Sequence, residues 1–492
     1  MAKRTFFIVL LVVLVLTGCY FLPPFSIMGY EFRQVNLVSD VIADTISIPV
    51  SKPVKKDTVP TYTYYQDSVP SGMIPIEDFR DSLGIHREMD HFYEALRQSK
   101  QRVVRIAYFG DSFIEGDILT AHIRELLQSR FGGCGVGFID IKSQIAGFRT
   151  TVTEFSSGWT EYNAVNQGAH GFNSRLQGIN SRYYIPSSMA YIDVKCQNRV
   201  FPGHLDTVQI ATVYFTPEVG LEMNCSVNQQ PQEPFYSYSA ITDSIDSIGP
   251  RIEAQSVRDS ISRIRVTVNG KGRFYGIALE GEQGIVLDNF SMRGSSGWQL
   301  GMIPEETLLK FAHIRHYDLI ILHYGLNVAS PSTHNYTSYC NHFKTAIENF
   351  KRAFPDTSLL LFSISNRDKR GPDGQFQTMD GVEELVEAQH NMAKETGIAF
   401  WNLQQGMGGS GSMERLQKEG CANKDYTHIN FKGGEVIGKI FYDVLMNGKM
   451  NYNRRVKQNP HQYKTQKPKQ AAKSLHHLDS VHKNKNEHEP HI

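Results

Sequence analysis

Residues 105–128 read RIAYFGDSFIEGDILTAHIRELLQ, and the fold turns on the junction they contain. An apolar run ends at Gly110, Asp111 and Ser112 follow, and a helical pattern begins soon after. VVRIAYF (103–109) predicts a strand and DILTAHIRELLQSRF (117–131) a helix. Ser112 stands where one gives way to the other. Serine is a favoured N-cap residue, so capping and nucleophilic attack are both open from this stretch alone.

Downstream the same alternation repeats. GIVLDNFSM (284–292) precedes PEETLLKFAHIRHY (304–317), and DLIILHYG (318–325) precedes YTSYCNHFKTAIENFKRAF (336–354). SLLLFSIS (358–365) precedes GVEELVEAQHNMAKETG (381–397), and IAFWNL (398–403) leads through a Gly-rich loop to FKGGEVIGKIFYDVLM (431–446). Short apolar strands alternating with amphipathic helices predict a parallel sheet covered on both faces. Functional residues of such sheets gather at the carboxyl ends of the strands.

Between these two parts the pattern changes. From 140 to 285 helical periods vanish, and short β-branched or aromatic runs such as DTVQIATVYF (206–215), RIRVTVNG (263–270) and RFYGIALEG (273–281) predict an inserted β-sandwich or jelly roll. FGGCGVGFIDI (131–141) lacks the Gly-Lys-Ser/Thr ending of a phosphate loop and reads as close backbone approach.

The chain's ends differ from its middle. Lys3 and Arg4 precede an uncharged, largely apolar stretch from Phe6 to Phe25, the pattern of an export signal or membrane anchor over 1–32. Leu16-Thr17-Gly18-Cys19 resembles a bacterial lipoprotein processing site, whereas Tyr20, Phe21 and Leu22 prolong the apolar run past it. An uncleaved anchor and a lipidated Cys19 both stay open, and either places the bulk of the chain in the cell envelope, outside the cytoplasm. Residues 33–85, rich in Ser, Thr, Pro and Asp, predict an extended stalk, and a helix is expected over 86–100. Residues 450–492, rich in Lys, His, Asn and Gln, predict a disordered basic tail.

The 492 residues carry a formal net charge of +1, which gives no reason to expect a nucleic-acid partner. Besides Cys19 there are Cys134, Cys196, Cys225, Cys340 and Cys421. Cys196 and Cys225 can pair in an oxidising compartment or stay as buried thiols. No Cys/His cluster has zinc spacing, and no metal or cofactor is expected.

A serine nucleophile needs a base, a group that orients the base, and donors for the oxyanion. CANKDYTHIN (421–430), in the loop before the last helix, holds Asp425 three residues before His428, close enough for one loop to hydrogen-bond the two. Gly294 follows one strand and Asn327 another, one a site of close backbone approach and the other an amide donor. Helix capping and turn formation also account for Asp425, Asn430, Gly294 and Asn327 taken singly.

Taken together, Gly110-Asp111-Ser112, Gly294, Gly325-x-Asn327 and Asp425-x-x-His428 resemble the ordered blocks of the SGNH, or GDSL-type, hydrolases. The resemblance covers about 86–150 and 285–447 and is greatest to the branch of bacterial peptidoglycan O-acetylesterases, whose members often carry an inserted β-sandwich. It implies a three-layer α/β/α, flavodoxin-like domain in two parts, 86–139 and 286–449, interrupted by the insert at 140–285. It also implies Ser112 as nucleophile, His428 as base and Asp425 as its orienter. Ser112 N–H, Gly294 N–H and Asn327 then form the oxyanion hole. Val328 stands where the third block often has Asp, Phe113 replaces a leucine, and Gly168 or Gly171 competes with Gly294. The implied activity is removal of O-acetyl groups from an envelope glycan such as peptidoglycan. The same triad also serves O-acetyltransferases, and a non-catalytic glycan-binding protein is the reading from a different class.

Overall fold

The structure, a computed structural model, describes residues 2–21, 25–27, 30–32, 66–79, 87–168, 171–197, 199–201, 203–239, 251–458 and 460. The chain divides into two units, Met1–Tyr62 and Thr63–Ile492. The first holds helix α1 (Ala2–Phe21) and a two-stranded antiparallel ribbon, Phe25–Ile27 with Tyr30–Phe32. The spanning anchor expected over 1–32 is not supported: among the described residues no helix is long and apolar enough to cross a membrane. Lys3 and Arg4 occupy the start of α1, and its uncharged remainder, residues 5–21, extends about 25 Å against a hydrocarbon core of ~30 Å.

In the second unit, helix α2 (Asp90–Arg97) leads to β1 (Val103–Gly110), and α3 (Thr120–Phe131) follows. Nine antiparallel strands come next: β2 (Gly137–Ile139), β3 (Val152–Asn163), β4 (Arg182–Cys196), β5 (Val208–Pro217), β6 (Glu222–Val227), β7 (Gln230–Ser237), β8 (Glu253–Ile261), β9 (Arg263–Asn269) and β10 (Gly272–Glu280). The chain then resumes the alternation with β11 (Gly284–Ser291), α4 (Glu305–Ile314), β12 (Leu319–His323), α5 (Thr337–Ala353) and β13 (Ser358–Phe362). It ends with α6 (Val382–Thr396), β14 (Ala399–Trp401), the short α7 (Leu403–Gly406) and α8 (Ser412–Lys418), and α9 (Phe431–Gln458).

The central sheet has the order β11-β1-β12-β13-β14, and every pairing is parallel. All residues of β12 and β13 are buried, which is why these strands are apolar without alternation. The helices pack as two sets, α3 with α9 and α4 with α5 and α6. Gly434 lets α9 approach α3: a Cβ there would lie 1.8 Å from the Ile118 carbonyl oxygen.

The region between β1 and β11 is antiparallel, as its composition predicts. Its strands form one hydrogen-bonded sheet in the order β8-β5-β10-β4-β9-β6-β7, with β2 beside β10 and β3 beside β4. It has its own apolar core, including Ile192, Val194, Phe215, Leu221, Val266 and Ile277. Arg315, fully buried, ties this sheet to the parallel one. It donates to Asp288 of β11 at 2.7 and 2.8 Å and to Tyr214 of β5 at 2.9 Å, and pairs with Glu280 of β10 at 3.0 Å.

Two sequence expectations differ from the structure, and one left open is decided. Residues 66–79, read as part of an extended stalk, lie along the open edge of β14. Glu77 and Phe400 exchange two backbone hydrogen bonds of 2.8 Å, and the Trp401 indole donates to the Ile74 carbonyl at 3.0 Å. An unpaired strand edge offers those groups to any extended segment within reach. Helix α9 continues past residue 450, because Tyr452 and Arg455 find buried positions and Arg455 bonds Asp67 and Asp90. Cys196 and Cys225 are free thiols, as are Cys134, Cys340 and Cys421. The rest of the expected stalk, 33–65 and 80–85, and the tail from 461 on lie outside the described residues.

Candidate active site

The register of the sheet brings the expected site residues to one edge. Gly110 at the end of β1 pairs with Ser291 of β11 and His323 of β12, so the three strands stop together. Ser112 begins two residues beyond that line, Gly294 three and Asn327 four.

Ser112 does not cap the long helix. It heads a separate 3-10 turn, Ser112–Asp117, and Asp111 is the cap, accepting from the Phe113 N–H at 2.9 Å. Gly116 (φ 64) and Asp117 (φ 65) break the path before α3 starts at Thr120. Asp111 is buried, and burial pushes its carboxyl up to about 6 against the pull of the Phe113 N–H, the His428 charge and the Leu326 and Gly325 N–H groups.

The three residues expected to act together form one hydrogen-bonded chain. Ser112 Oγ lies 3.0 Å from His428 Nε2, and His428 Nδ1 lies 2.7 Å from Asp425 Oδ2. Asp425 Oδ1 accepts the backbone N–H groups of Thr427 and His428, each at 3.0 Å, which folds the loop so that carboxylate and ring face each other. Burial works against the Asp425 charge, yet the His428 ring, these two N–H donors and the His428 charge hold its carboxyl below its ordinary value. A bridge between Ala422 and Ile429 closes the loop, and α9 starts at Phe431.

The expected donors sit on the two neighbouring loops. Gly294 is exposed with φ 79, a left-handed conformation that favours glycine, and its missing Cβ would meet only Val165 Cγ1, at 3.4 Å. Asn327 is exposed, and its Nδ2 donates to the Ser295 carbonyl at 2.9 Å. An amide carries two N–H hydrogens, so one remains for a substrate oxygen while the other holds the side chain to the Gly294 loop. Gly168 lies in open surroundings, as does Gly171, and both fall before β4 of the antiparallel region.

Glu115 and Asp117, both in the Ser112 turn, find partners outside it. Asp117 is fully buried and accepts from Arg124, Arg149, Thr120, Thr151 and Asn289, and the two arginines outweigh burial to hold its carboxyl well below the usual range. Glu115 pairs with Arg293, the residue before Gly294, at 2.5 Å. These contacts fasten the Ser112 turn to both flanking regions, and the acidic pair separated by one glycine was their only local trace. His323, also at a strand end, is no second base. It is buried, burial drives its pKa down to about 3, and its Nδ1 lies 3.1 Å from the Tyr108 hydroxyl.

His91, His316 and Asp318 bring possible metal-ligand atoms within 4.8 Å of one another. They lie at the amino ends of the strands, away from Ser112, and both Asp318 oxygens are already engaged by Arg102, at 2.7 and 3.0 Å.

A doubly covered parallel sheet with Ser112, His428 and Asp425 linked across its carboxyl edge defines the class: an α/β fold carrying a Ser-His-Asp arrangement. Among solved structures, a peptidoglycan O-acetylesterase matches 76% of this chain and 99% of its own length, with a TM-score of 0.62 at 18% identity. The chain therefore shares that protein's fold. A family 3 carbohydrate esterase from Talaromyces cellulolyticus (12% identity, 33% of this chain and 72% of that one, TM-score 0.25) and the carbohydrate acetylesterase Est24 from Sinorhizobium meliloti (12%, 33% and 78%, 0.24) match smaller parts. No protein-family model and no curated protein matches the chain.

Proposed function

We propose that this chain is a serine esterase that removes O-acetyl groups from a cell-envelope glycan such as peptidoglycan. The observation that carries the reading is the unbroken chain from Ser112 Oγ through His428 to Asp425, at 3.0 and 2.7 Å. In this account His428 Nε2 takes the Ser112 proton as Oγ attacks the ester carbonyl. Ser112 N–H, Gly294 N–H and the Asn327 amide hold the oxyanion, and Asp425 stabilises the imidazolium. His428 returns the proton to the leaving sugar hydroxyl, then activates a water that releases acetate from Ser112. The glycan is suggested by the shared fold with a peptidoglycan O-acetylesterase and by the antiparallel region, which we read as the inserted β-sandwich of that branch.

Acetate release from O-acetylated peptidoglycan and from p-nitrophenyl acetate tests the proposal. Ser112→Ala is expected to lower both by at least about 10³-fold; wild-type rates in that variant would refute it. We further propose that the chain is exported and lipidated at Cys19. Labelled palmitate should enter the wild-type protein in a bacterial host and not Cys19→Ala, and equal labelling of the two would exclude it.

A further inference from the structure

A cluster of titratable side chains that the esterase mechanism does not use lies at the opposite end of the parallel sheet. His91 of α2, His316 after α4 and Asp318 before β12 come from two distant stretches of sequence, and the fold brings their ligand atoms within 4.8 Å of one another. Both rings turn Nε2 toward the same atom: His91 Nε2 and His316 Nε2 each lie 3.9 Å from Asp318 Oδ1. That is too long for a hydrogen bond. His91 Nε2 is buried and has no hydrogen-bond partner among the described residues. A buried polar nitrogen left without a partner calls for an explanation.

The three side chains sit on fixed backbone. Next to His91, the Phe92 N–H donates to Ser358 Oγ at 3.0 Å, and Phe92, Tyr93 and Leu96 are buried. His316 stands between Arg315 and Tyr317, both fully buried and both bonded to Asp288. Asp318 is buried beneath the rings. Its Oδ2 accepts from Arg102 and from the Arg105 N–H, each at 3.0 Å, whereas Oδ1 accepts from Arg102 at 2.7 Å. A carboxylate oxygen has two lone pairs, so Oδ1 keeps one. A ligating carboxylate is ordinarily hydrogen-bonded by a further group, the place Arg102 takes here. Asp318 and Asp356 draw positive charge toward both rings, against Arg102 and, at His316, Arg105. Arg105 is itself paired with Glu280.

Two imidazoles and a carboxylate select among ions. Magnesium and calcium prefer oxygen ligands, whereas imidazole suits zinc and its neighbours. Bonds of about 2.0–2.2 Å set ligand atoms roughly 3.4 Å apart around tetrahedral zinc, so each ring has to move inward by less than about 1 Å. The His316 side chain is 46% exposed, which gives an ion entry from solvent and leaves a fourth position to water. We infer that His91, His316 and Asp318 form a binding site for a divalent transition ion of the zinc type, which clips α2 to the amino end of β12. The site is independent of the esterase reading: an ion there stabilises the fold and takes no part in the chemistry at Ser112.

The test uses the full chain, stripped with a chelator, and zinc chloride as the probe. Excess zinc is expected to raise the melting temperature of the wild type by a few degrees, because an ion that binds the folded chain alone stabilises it. Magnesium chloride should leave it unchanged. His316→Ala and His91→Gln should lose most of the rise, and each should bind one zinc equivalent fewer than wild type in equilibrium dialysis. The histidines beyond residue 460 are common to all three proteins, so the difference between them reads the cluster. Circular dichroism without zinc establishes that each variant is folded. If His91→Gln is not, His316→Ala decides, since its ring is exposed and its truncation spares the core. No rise in the wild type, an equal rise in a folded variant, or an equal rise with magnesium would overturn the site.

Discussion

At the scale of single residues, Asp425 shows how one side chain sets the state of another. Its carboxylate accepts the His428 ring N–H and two backbone N–H groups, and together they overcome burial to keep it ionised. Because its folded pKa lies below the ordinary 3.8, the stability it contributes is complete above that value and is lost as pH falls through the depressed one. Asp425→Asn removes the charge that stabilises the imidazolium and disfavours the working tautomer. It is expected to fold, to lower kcat by about 10²- to 10⁴-fold, and to lose the part of the acid destabilisation that Asp425 causes. Steady-state kinetics and melting curves from pH 3 to 8 check both; an unchanged kcat would remove Asp425 from the mechanism.

At the scale of elements, the Ser112 turn is where pattern and structure part. Strand and helix both form as their periodicities predict. The hinge between them, at Gly116 and Asp117, depends on contacts from residues far along the chain: Arg149, Thr151, Asn289 and Arg293. Periodicity reports which face of an element is buried, not which distant side chain it meets, so this network was invisible while the strands were legible. Ser, Gly, Asn and Asp-x-x-His were legible because each stands just past a recognisable apolar strand or just before a recognisable helix. Glu154 of β3, part of the same buried group, permits a test. Burial pushes its carboxyl up to about 7 despite Arg149. A raised folded pKa means that its ionisation costs stability, a cost absent at low pH that grows as pH rises from the ordinary 4.5 and is complete above about 7. Glu154→Gln should therefore melt higher than wild type at pH 8.5, by a few degrees, and gain much less at pH 5. A gain that is equal at both pH values, or absent at pH 8.5, would contradict the assignment.

At the scale of the whole second unit, the two sheets are joined by buried charge as well as apolar packing. Arg315 reaches Asp288 in the parallel sheet and Tyr214 and Glu280 in the antiparallel one, with Arg105 of β1 also on Glu280 at 2.6 Å. Asp288 would be left buried without its cation in Arg315→Ala, a loss of about 3–5 kcal/mol. Urea unfolding should show this, while Arg258→Ala, whose partner Glu282 is exposed, should change stability by under about 1 kcal/mol. Equal effects would mean that the buried network does not hold the sheets together. The sequence announced two kinds of region but not this junction, because Arg315, Asp288 and Glu280 lie in three different elements with no shared motif.

The account's central claim is that Ser112 is a nucleophile activated by His428. Labelling with a serine-reactive fluorophosphonate, followed by mass spectrometry of the peptides, addresses it most directly. Label on Ser112 in wild type, sharply reduced in His428→Ala and absent in Ser112→Ala, is the predicted result. An unlabelled Ser112 in folded wild-type protein, or equal labelling when His428 is removed, would contradict it.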